Sequence, residues 1–317
     1  MTDQIYQLNN INIRLPEVRG IIRKNFELSR LSWLKVGGPA SVFFQPEDED
    51  DLSFFLRNLE SSIPVFIIGA CSNLIIRDGG IPGIVIKLGK NFSNIRYNEN
   101  NISVGAACRD SYLAKSCAKK GIDFSFLRTI PGNLGGAVKM NAGCYGSYLS
   151  DYLIGLTLIR RDGSIIDLKA SDLKFDYRDS TVPDDAIVTN VLLRKEYDDP
   201  LKIEKKMTKA LDMRNLSQPI KDLSCGSTFR NPLGRSSLGK KCDNDHSLKA
   251  WKLIDDAGLR GLKLGGAMIS KKHTNFLINI GNATAKDLED LGNLVIKKVK
   301  KNSGIELLWE VKRVGTY

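Results

Sequence analysis

The sequence predicts an α+β protein, and three observations lead there. Strand-length apolar runs and amphipathic helix-length runs alternate irregularly along the 317 residues, not as repeating strand–helix units. Hydrophobic residues make up 42% of the chain, enough for a sizeable core in two or three domains of ordinary size. No GxxxxGKS or GxGxxG fingerprint follows any strand, so neither a P-loop nor a dinucleotide signature is present.

The elements read in order. "PEDEDDLSFFLRNLE" predicts an amphipathic helix with an acidic first turn. After Pro64, "VFIIG" predicts a buried strand, and "GIVIKL" and "ISVGAAC" predict two more. "RDSYLAKSCAKKG" is a helix stopped by Gly121. "LIGLTLIRRDGSIIDL" is a hairpin with Asp162-Gly163 at its tip, and "AIVTNVLLR" is a further strand. The character of the chain changes near Tyr197 to Pro200. "PLKIEKKMTKALDMRNLSQP" then predicts a helix, and "SLKAWKLIDDAG" another closed by Gly258. "FLINI", "TAKDLEDLGNLVIKKVKKNSG" and "IELLWEVKRV" spell strand, helix, strand, which predicts a βαβ unit with parallel strands. The expected domains are a lobe at 1–60, a main domain at 61–199 and a C-terminal domain at 200–317.

Charge narrows the partners. The formal net charge is +11, from 47 basic and 36 acidic side chains, which favours an anionic partner. Nucleic acid is not expected, because no dense basic run or recognised binding motif occurs; "IKKVKKNSG" sits at a helix end, where lysines suit the dipole. None of the six cysteines forms CxxC. Cys242 and His246 are spaced like half a metal site with no second half, so no metal is expected. No apolar run nears the ~18 residues of a membrane span, and Met1 to Asn12 is polar and mixed, unlike a signal peptide. The thiols read as reduced and the protein as cytoplasmic.

Four stretches are candidates for chemistry. "RTIPGNLGGAVKMNAGCYG", Arg128 to Gly146, holds five glycines, two asparagines and no acid. Such a stretch suits an anion laid on bare backbone N–H groups, and equally a pair of turns around a packed strand. In "IIGACSNLIIRDGG" a strand empties into Gly69, Ala70, Cys71, Ser72 and Asn73, a second place for a phosphate. "KVGGPA", Lys35 to Ala40, is the third small-residue stretch. In "SCGSTFRNP", Gly226 permits a bend that projects Ser227 or Thr228 into a cleft. A serine there can donate a proton if nearby cations or dipoles stabilise the alkoxide. A nucleophilic serine would need a base. The chain has only two histidines and no GxSxG elbow, so a hydrolase is the poorer reading. Arg178 in "FDYRDS" can fork a carboxylate or form a surface ion pair. In the last predicted strand, Ile305, Leu307, Trp309 and Val311 share one face and Glu306, Leu308, Glu310 and Lys312 the other. Glu306 and Glu310 lie about 13 Å apart along a strand, so they cannot serve one carbon: one is catalytic and the other a solvated edge charge.

Together the motifs resemble the UDP-N-acetylenolpyruvoylglucosamine reductase (MurB) family. They are "SWLKVGGPA", "GACSNLIIRDGG", "TIPGNLGGAVKMNAGCYG", "FDYRDS", "SCGSTFRNP", "KLIDDAGLRGLKLGGAMISKKHTNFLIN" and "IELLWEVKRVG", in family order from about Leu31 to Gly315. The resemblance implies a two-lobed, vanillyl-alcohol-oxidase-like FAD-binding fold over the first two expected domains and an α/β substrate domain after them. It implies non-covalent FAD, NADPH as hydride donor, and reduction of UDP-N-acetylglucosamine enolpyruvate in peptidoglycan precursor synthesis, by a monomer. The implied FAD cradle is Gly69, Ala70, Cys71, Ser72 and Asn73 with Ile130, Pro131, Gly132, Asn133, Gly135, Gly136, Ala137, Asn141, Ala142 and Gly143. Arg178 and Glu310 match the positions that stabilise the enolic carboxylate, Glu310 working protonated or through a hydrogen bond. Ser227 matches the proton donor. Arg214, Arg230 and Asn231 are candidates for the uridine diphosphate, and Tyr145 either takes a place near flavin or substrate or simply fills a turn. His273 is either functional or a packed histidine before a strand. Ala70, Cys71 and Thr129 stand where the family usually has glycine, and Ala70 and Cys71 cannot both take a positive φ without strain. The short link from Arg178 to Pro219 resembles the subclass without a tyrosine-bearing lid, and "LGRSSLGKKCDNDHS" reads as a surface excursion. Another FAD enzyme on the same fold, an oxygen-using oxidase, and a nonenzymatic anion-binding protein are the competing classes.

Overall fold

The structure, a computed structural model, describes residues 5–8, 11–234, 237–238, 241–242 and 246–317. The side chains of residues 235–245 lie outside the description, and with them most of the excursion after Pro232 and the Cys242–His246 spacing. The chain folds into two compact units, each assembled from separate stretches. One comprises 1–26, 40–70 and 82–208; the other comprises 27–39, 71–81 and 209–317.

The first unit holds two larger sheets besides short hairpins. A four-stranded sheet has the order Ile21–Glu27, Pro39–Gln45, Ile81–Ile86, Val65–Ile67. Helix α1 (Glu49–Asn58) has the expected acidic first turn, and the Asp48 carboxylate caps it by accepting the Asp51 N–H. Leu52, Phe55 and Leu56 of α1 pack with Val42, Phe44, Ile84 and Ile86 in one core. The Val65–Ile67 strand was expected to be buried and is only half-buried. It is the sheet's edge, parallel to Ile84–Ile86 on one side alone, and Ile67 is 37% exposed. The second sheet is antiparallel, in the order Ile165–Lys169, Leu153–Arg160, Ala186–Arg194, Asn101–Gly105, Ile95–Tyr97. Its first hairpin turns at Asp162-Gly163 as expected, with Gly163 at φ +79°. Helix α2 (Asp110–Ala118) ends ahead of Gly121, at φ +71°, and buries Leu113, Ala114 and Cys117 against Phe124, Leu127, Leu158 and Val191. The short α3 (Leu134–Lys139) follows. Helix α4 (Pro200–Ser217) starts with Ile203 and Met207 in the same core.

The second unit is built on α5 (Ala250–Asp256), a three-stranded antiparallel sheet and α6 (Ala285–Ser303). Thr284 and Asp287 form a reciprocal capping box at the start of α6, and Gly304 in the left-handed region ends it after Lys300 and Lys301. Leu288, Leu291, Val295 and Val299 of α6 pack against Ile254, Ala267, Ile269 and Leu307.

The expected parallel βαβ unit does not form. Leu277–Asn279 pairs antiparallel with Ala267–Ile269, and the strand after α6 is only Lys312–Val314, which runs parallel to Leu74–Ile76. Residues 308–310 instead lie along Thr228–Arg230, through Arg230 N–H to Leu308 O at 2.8 Å and Glu310 N–H to Thr228 O at 2.8 Å. The expected two-faced alternation breaks there, since Glu310 and Val311 are both buried. Glu306 is the solvated charge, paired with Lys300 at 2.6 Å.

Candidate active site

In the first unit the glycine-rich stretch is stitched to the segment before α2. Gly135 N–H donates to Ala106 O at 2.9 Å, Leu134 N–H to Cys108 O at 2.9 Å, and Asp110 N–H to Gly132 O at 3.2 Å. The Asn133 side chain donates to Ala107 O at 2.5 Å. Packing dictates one of the glycines: a Cβ on Gly135 would lie 3.0 Å from that of Ala106. Two others have no such reason. A Cβ on Gly136, which is exposed, meets nothing within 4 Å, and one on Gly69 meets only Asn133, at 3.5 Å. The backbone at Gly69 and Gly136 is therefore open to a ligand lying directly on it. Lys87 Nζ donates to Gly69 O at 3.0 Å and brings a cation to this place.

The end of the stretch is a hairpin, Gly143–Cys144 against Ser147–Tyr148, with Tyr145 and Gly146 both left-handed at its tip. Gly143 is enforced, because a Cβ there would enter the Tyr148 ring. Asn141 is fully buried and binds inward, donating to Asp176 O at 3.1 Å and accepting Ser150 N–H at 3.1 Å. Through Asn141 the stretch holds a second hairpin, Phe175–Asp176 against Asp179–Ser180, which carries Arg178. Arg178 is half-buried at φ +58°, over the Tyr177 ring at 5.3 Å, and Nη1 donates to Gly143 O at 3.4 Å. A non-glycine residue held in the left-handed region is costly, and such residues cluster at functional sites.

In the second unit three separated segments meet. Asn73 O accepts Lys312 N–H at 3.0 Å, and its side chain donates to Glu310 O at 3.3 Å. Gly226 bends the chain at φ +88° as expected, with its Cβ position 4.0 Å from Ser72 O. Ser227 follows, half-buried, and the next residue, Thr228, accepts Glu310 N–H. The Ser72-Asn73 turn, Ser227 and Glu310 are thus neighbours, and Glu310 is 8% exposed. Cys225 beside them is no nucleophile, because burial pushes its thiol up to about 12. Cys71 takes the strained left-handed angle at φ +54° and Ala70 does not, so only one of the two carries the cost.

The remaining candidates are more dispersed. Asn231 accepts Ala250 N–H at 3.1 Å and so holds the start of α5. Arg214 donates to Gln218 at 3.0 Å, beside an open cleft of ≈ 470 Å³ lined by Asn215, Gln218, Pro219, Ile220, Lys221, Asp222 and Lys272. Arg230 is half-buried, with its N–H on Leu308. His273 is packed, edge-on to Phe276 at 4.8 Å, and burial pushes its imidazole down to about 4. Among the described residues no group of ligating side chains could hold a metal, and no helix is long and apolar enough to cross a membrane. The sequence reading named Thr228 only as an alternative to Ser227 and missed Lys87 and Asn275. A lysine ending an apolar strand carries no local signal, whereas a buried asparagine next to a strand in "HTNFLIN" was there to be noticed.

Known proteins resemble the chain along nearly its whole length. The family model described as FAD binding domain matches residues 40–169, and that described as UDP-N-acetylenolpyruvoylglucosamine reductase, C-terminal domain, matches residues 218–314. A protein of Paracoccus denitrificans (strain Pd 1222) called UDP-N-acetylenolpyruvoylglucosamine reductase is 52% identical over 301 residues, covering 95% of this chain and 98% of its own. One of the same name from Cereibacter sphaeroides (strain ATCC 17029 / ATH 2.4.9) is 50% identical over 95% of this chain and 97% of its own. The crystal structure of UDP-N-acetylenolpyruvylglucosamine reductase (MurB) from Thermus caldophilus superposes with a TM-score of 0.76 at 31% identity, over 94% of this chain and 99% of that one.

Proposed function

The chain belongs to the UDP-N-acetylenolpyruvoylglucosamine reductase family, and from that premise we propose how its residues carry the reaction and which hydride donor they use. It is an FAD-dependent oxidoreductase of peptidoglycan precursor synthesis. The substrate is UDP-N-acetylglucosamine enolpyruvate and the product UDP-N-acetylmuramate. The donor is NADPH, and the enzyme works as a cytoplasmic monomer serving cell shape and division.

The residues fit FAD. The open backbone over Gly69 and Gly136 suits a pyrophosphate, and Lys87 offsets part of its charge. Held there and reduced, FAD would supply the hydride that the terminal vinyl carbon of the substrate accepts. The double-bond pair then moves toward the carboxylate as an enolic form. Arg178 forks the carboxylate oxygens, and Glu310 steadies the enolic form. Ser227 gives its hydroxyl proton to the carbon next to the carboxylate, and water returns a proton to Ser227. Hydride and proton together make the saturated ether. The open cleft beside Arg214, with Lys221 and Lys272, takes the uridine diphosphate, whose charge the net +11 favours.

The observation that carries this reading is the bond from Glu310 N–H to Thr228 O, which sets the acid beside the residue that follows Ser227. Ser227→Ala tests it in anaerobic stopped flow. Reduction of the flavin by NADPH is expected to keep its rate, while reoxidation by the enolpyruvyl substrate falls about 10²–10⁴-fold, the scale of a lost general acid. Reoxidation at the wild-type rate would remove Ser227 from the mechanism.

A further inference from the structure

Asn275 is 4% exposed, and its side-chain amide and main-chain oxygen face the two residues after Ser227, while its N–H turns back to His273 Nδ1. Its side-chain oxygen accepts Phe229 N–H at 3.0 Å, and its side-chain nitrogen donates to Phe229 O at 2.9 Å. Its main-chain oxygen accepts Thr228 N–H at 2.8 Å. On the opposite side, Thr228 O accepts Glu310 N–H, and Phe229 sits opposite Trp309 in an antiparallel bridge. The backbone groups of Phe229 point away from that bridge, and the Asn275 amide takes the place a further strand would occupy. Thr228 Oγ1 also accepts Leu277 N–H at 3.1 Å, which ties the same segment to the strand after Asn275.

We propose that Asn275 is a positioning residue that fixes Ser227 relative to Glu310, so that proton donor and acid reach one substrate in register. The proposal rests on the assignment of Ser227 and Glu310 made above. Filling space does not account for Asn275, since an apolar side chain would fill it without burying an amide. An amide is required because it presents one donor and one acceptor side by side, matching the N–H and C=O of a single peptide residue.

A control lies in the same unit. Asn279 is also buried, and its side chain donates to Leu34 O at 2.8 Å and accepts Gly281 and Ala283 N–H at 2.8 and 2.9 Å. Those bonds lead to neither Ser227 nor Glu310.

The experiment compares FAD-loaded wild type, Asn275→Ala, Thr228→Val and Asn279→Ala. It reads FAD content, melting temperature, flavin reduction by NADPH, and reoxidation by UDP-N-acetylglucosamine enolpyruvate in water and deuterium oxide. Asn275→Ala is expected to keep the reduction rate within about twofold and to slow reoxidation by roughly 10- to 100-fold, the penalty of an ångström-scale misplacement. Its solvent isotope effect should rise as proton donation becomes limiting. Asn279→Ala is expected to lower the melting temperature and leave reoxidation and its isotope effect unchanged. Thr228→Val cuts only the link to Leu277 and is expected to slow reoxidation several-fold. It decides the matter if Asn275→Ala does not fold. Wild-type reoxidation in whichever of the two folds, or an equal loss in Asn279→Ala, overturns the proposal. Wild-type enzyme that cannot be reoxidised by this substrate overturns the assignment of function instead.

Discussion

At the scale of single residues, burial decides which titratable groups are available for chemistry. Asp110 opens α2, where the helix dipole favours a carboxylate, yet it is fully buried, and among the described residues neither of its oxygens has a hydrogen-bond partner. Burial raises its pKa well above the usual carboxylate range. His273 moves the other way. Burial pushes it from 6.5 down to about 4, and its Nδ1 accepts Asn275 N–H at 3.3 Å. A base whose folded pKa is depressed contributes stability that is complete above its unfolded pKa and is lost as pH falls toward the folded value. The window here is pH 6.5 to 4, and about two and a half units at 1.36 kcal/mol each give a loss on the order of 3 kcal/mol. Urea midpoints measured across that window should fall more steeply for wild type than for His273→Phe. Parallel profiles would mean that His273 titrates normally. His273 packs against Phe276 and accepts the N–H of Asn275, so it is part of the segment that carries Asn275.

At the scale of elements, local patterns were readable and pairings were not. The acidic start of α1, the Asp162-Gly163 hairpin and the Gly121, Gly258 and Gly304 helix ends follow from short-range sterics and capping, which a sequence displays. The strand at Val65–Ile67 was misjudged for burial because an apolar run does not say whether it lies at an edge. The final βαβ unit was misjudged because register is set by distant partners: Lys312–Val314 pairs with a strand more than two hundred residues earlier. Helix α6 gives a case where element and neighbour compete. Alanine in place of Gly292 should favour a helix interior by about 1 kcal/mol. Its Cβ would enter the ring of Trp309, and overpacking of that kind costs roughly 1–3 kcal/mol. Gly292→Ala is expected to be net destabilising in chemical denaturation; a stabilised variant would mean that the Trp309 ring has room to move.

At the scale of the whole molecule, the two units are discontinuous in sequence, and this limited how much of the site could be read in advance. Residues 71–81 fold with 209–317, so the turn bearing Ser72 and Asn73 is built into the same unit as Ser227 and Glu310. No local pattern reveals that exchange, because it depends on parallel pairing with Lys312–Val314. The glycine-rich stretch was legible for the opposite reason: five glycines and no acid in nineteen residues are visible in the residue string itself, although only the fold separates the open Gly136 from Gly135 and Gly143, which packing enforces. Motif order singled out Ser227, Arg178 and Glu310 as candidates; the connections through Asn73, Thr228 and Asn275 needed the fold. The most direct test of the whole account is an anaerobic absorbance spectrum of the purified protein, taken before and after NADPH and again after UDP-N-acetylglucosamine enolpyruvate. A flavin band that bleaches with the first addition and returns with the second is the expected result. A flavin that bleaches and stays reduced in the presence of the substrate would contradict it.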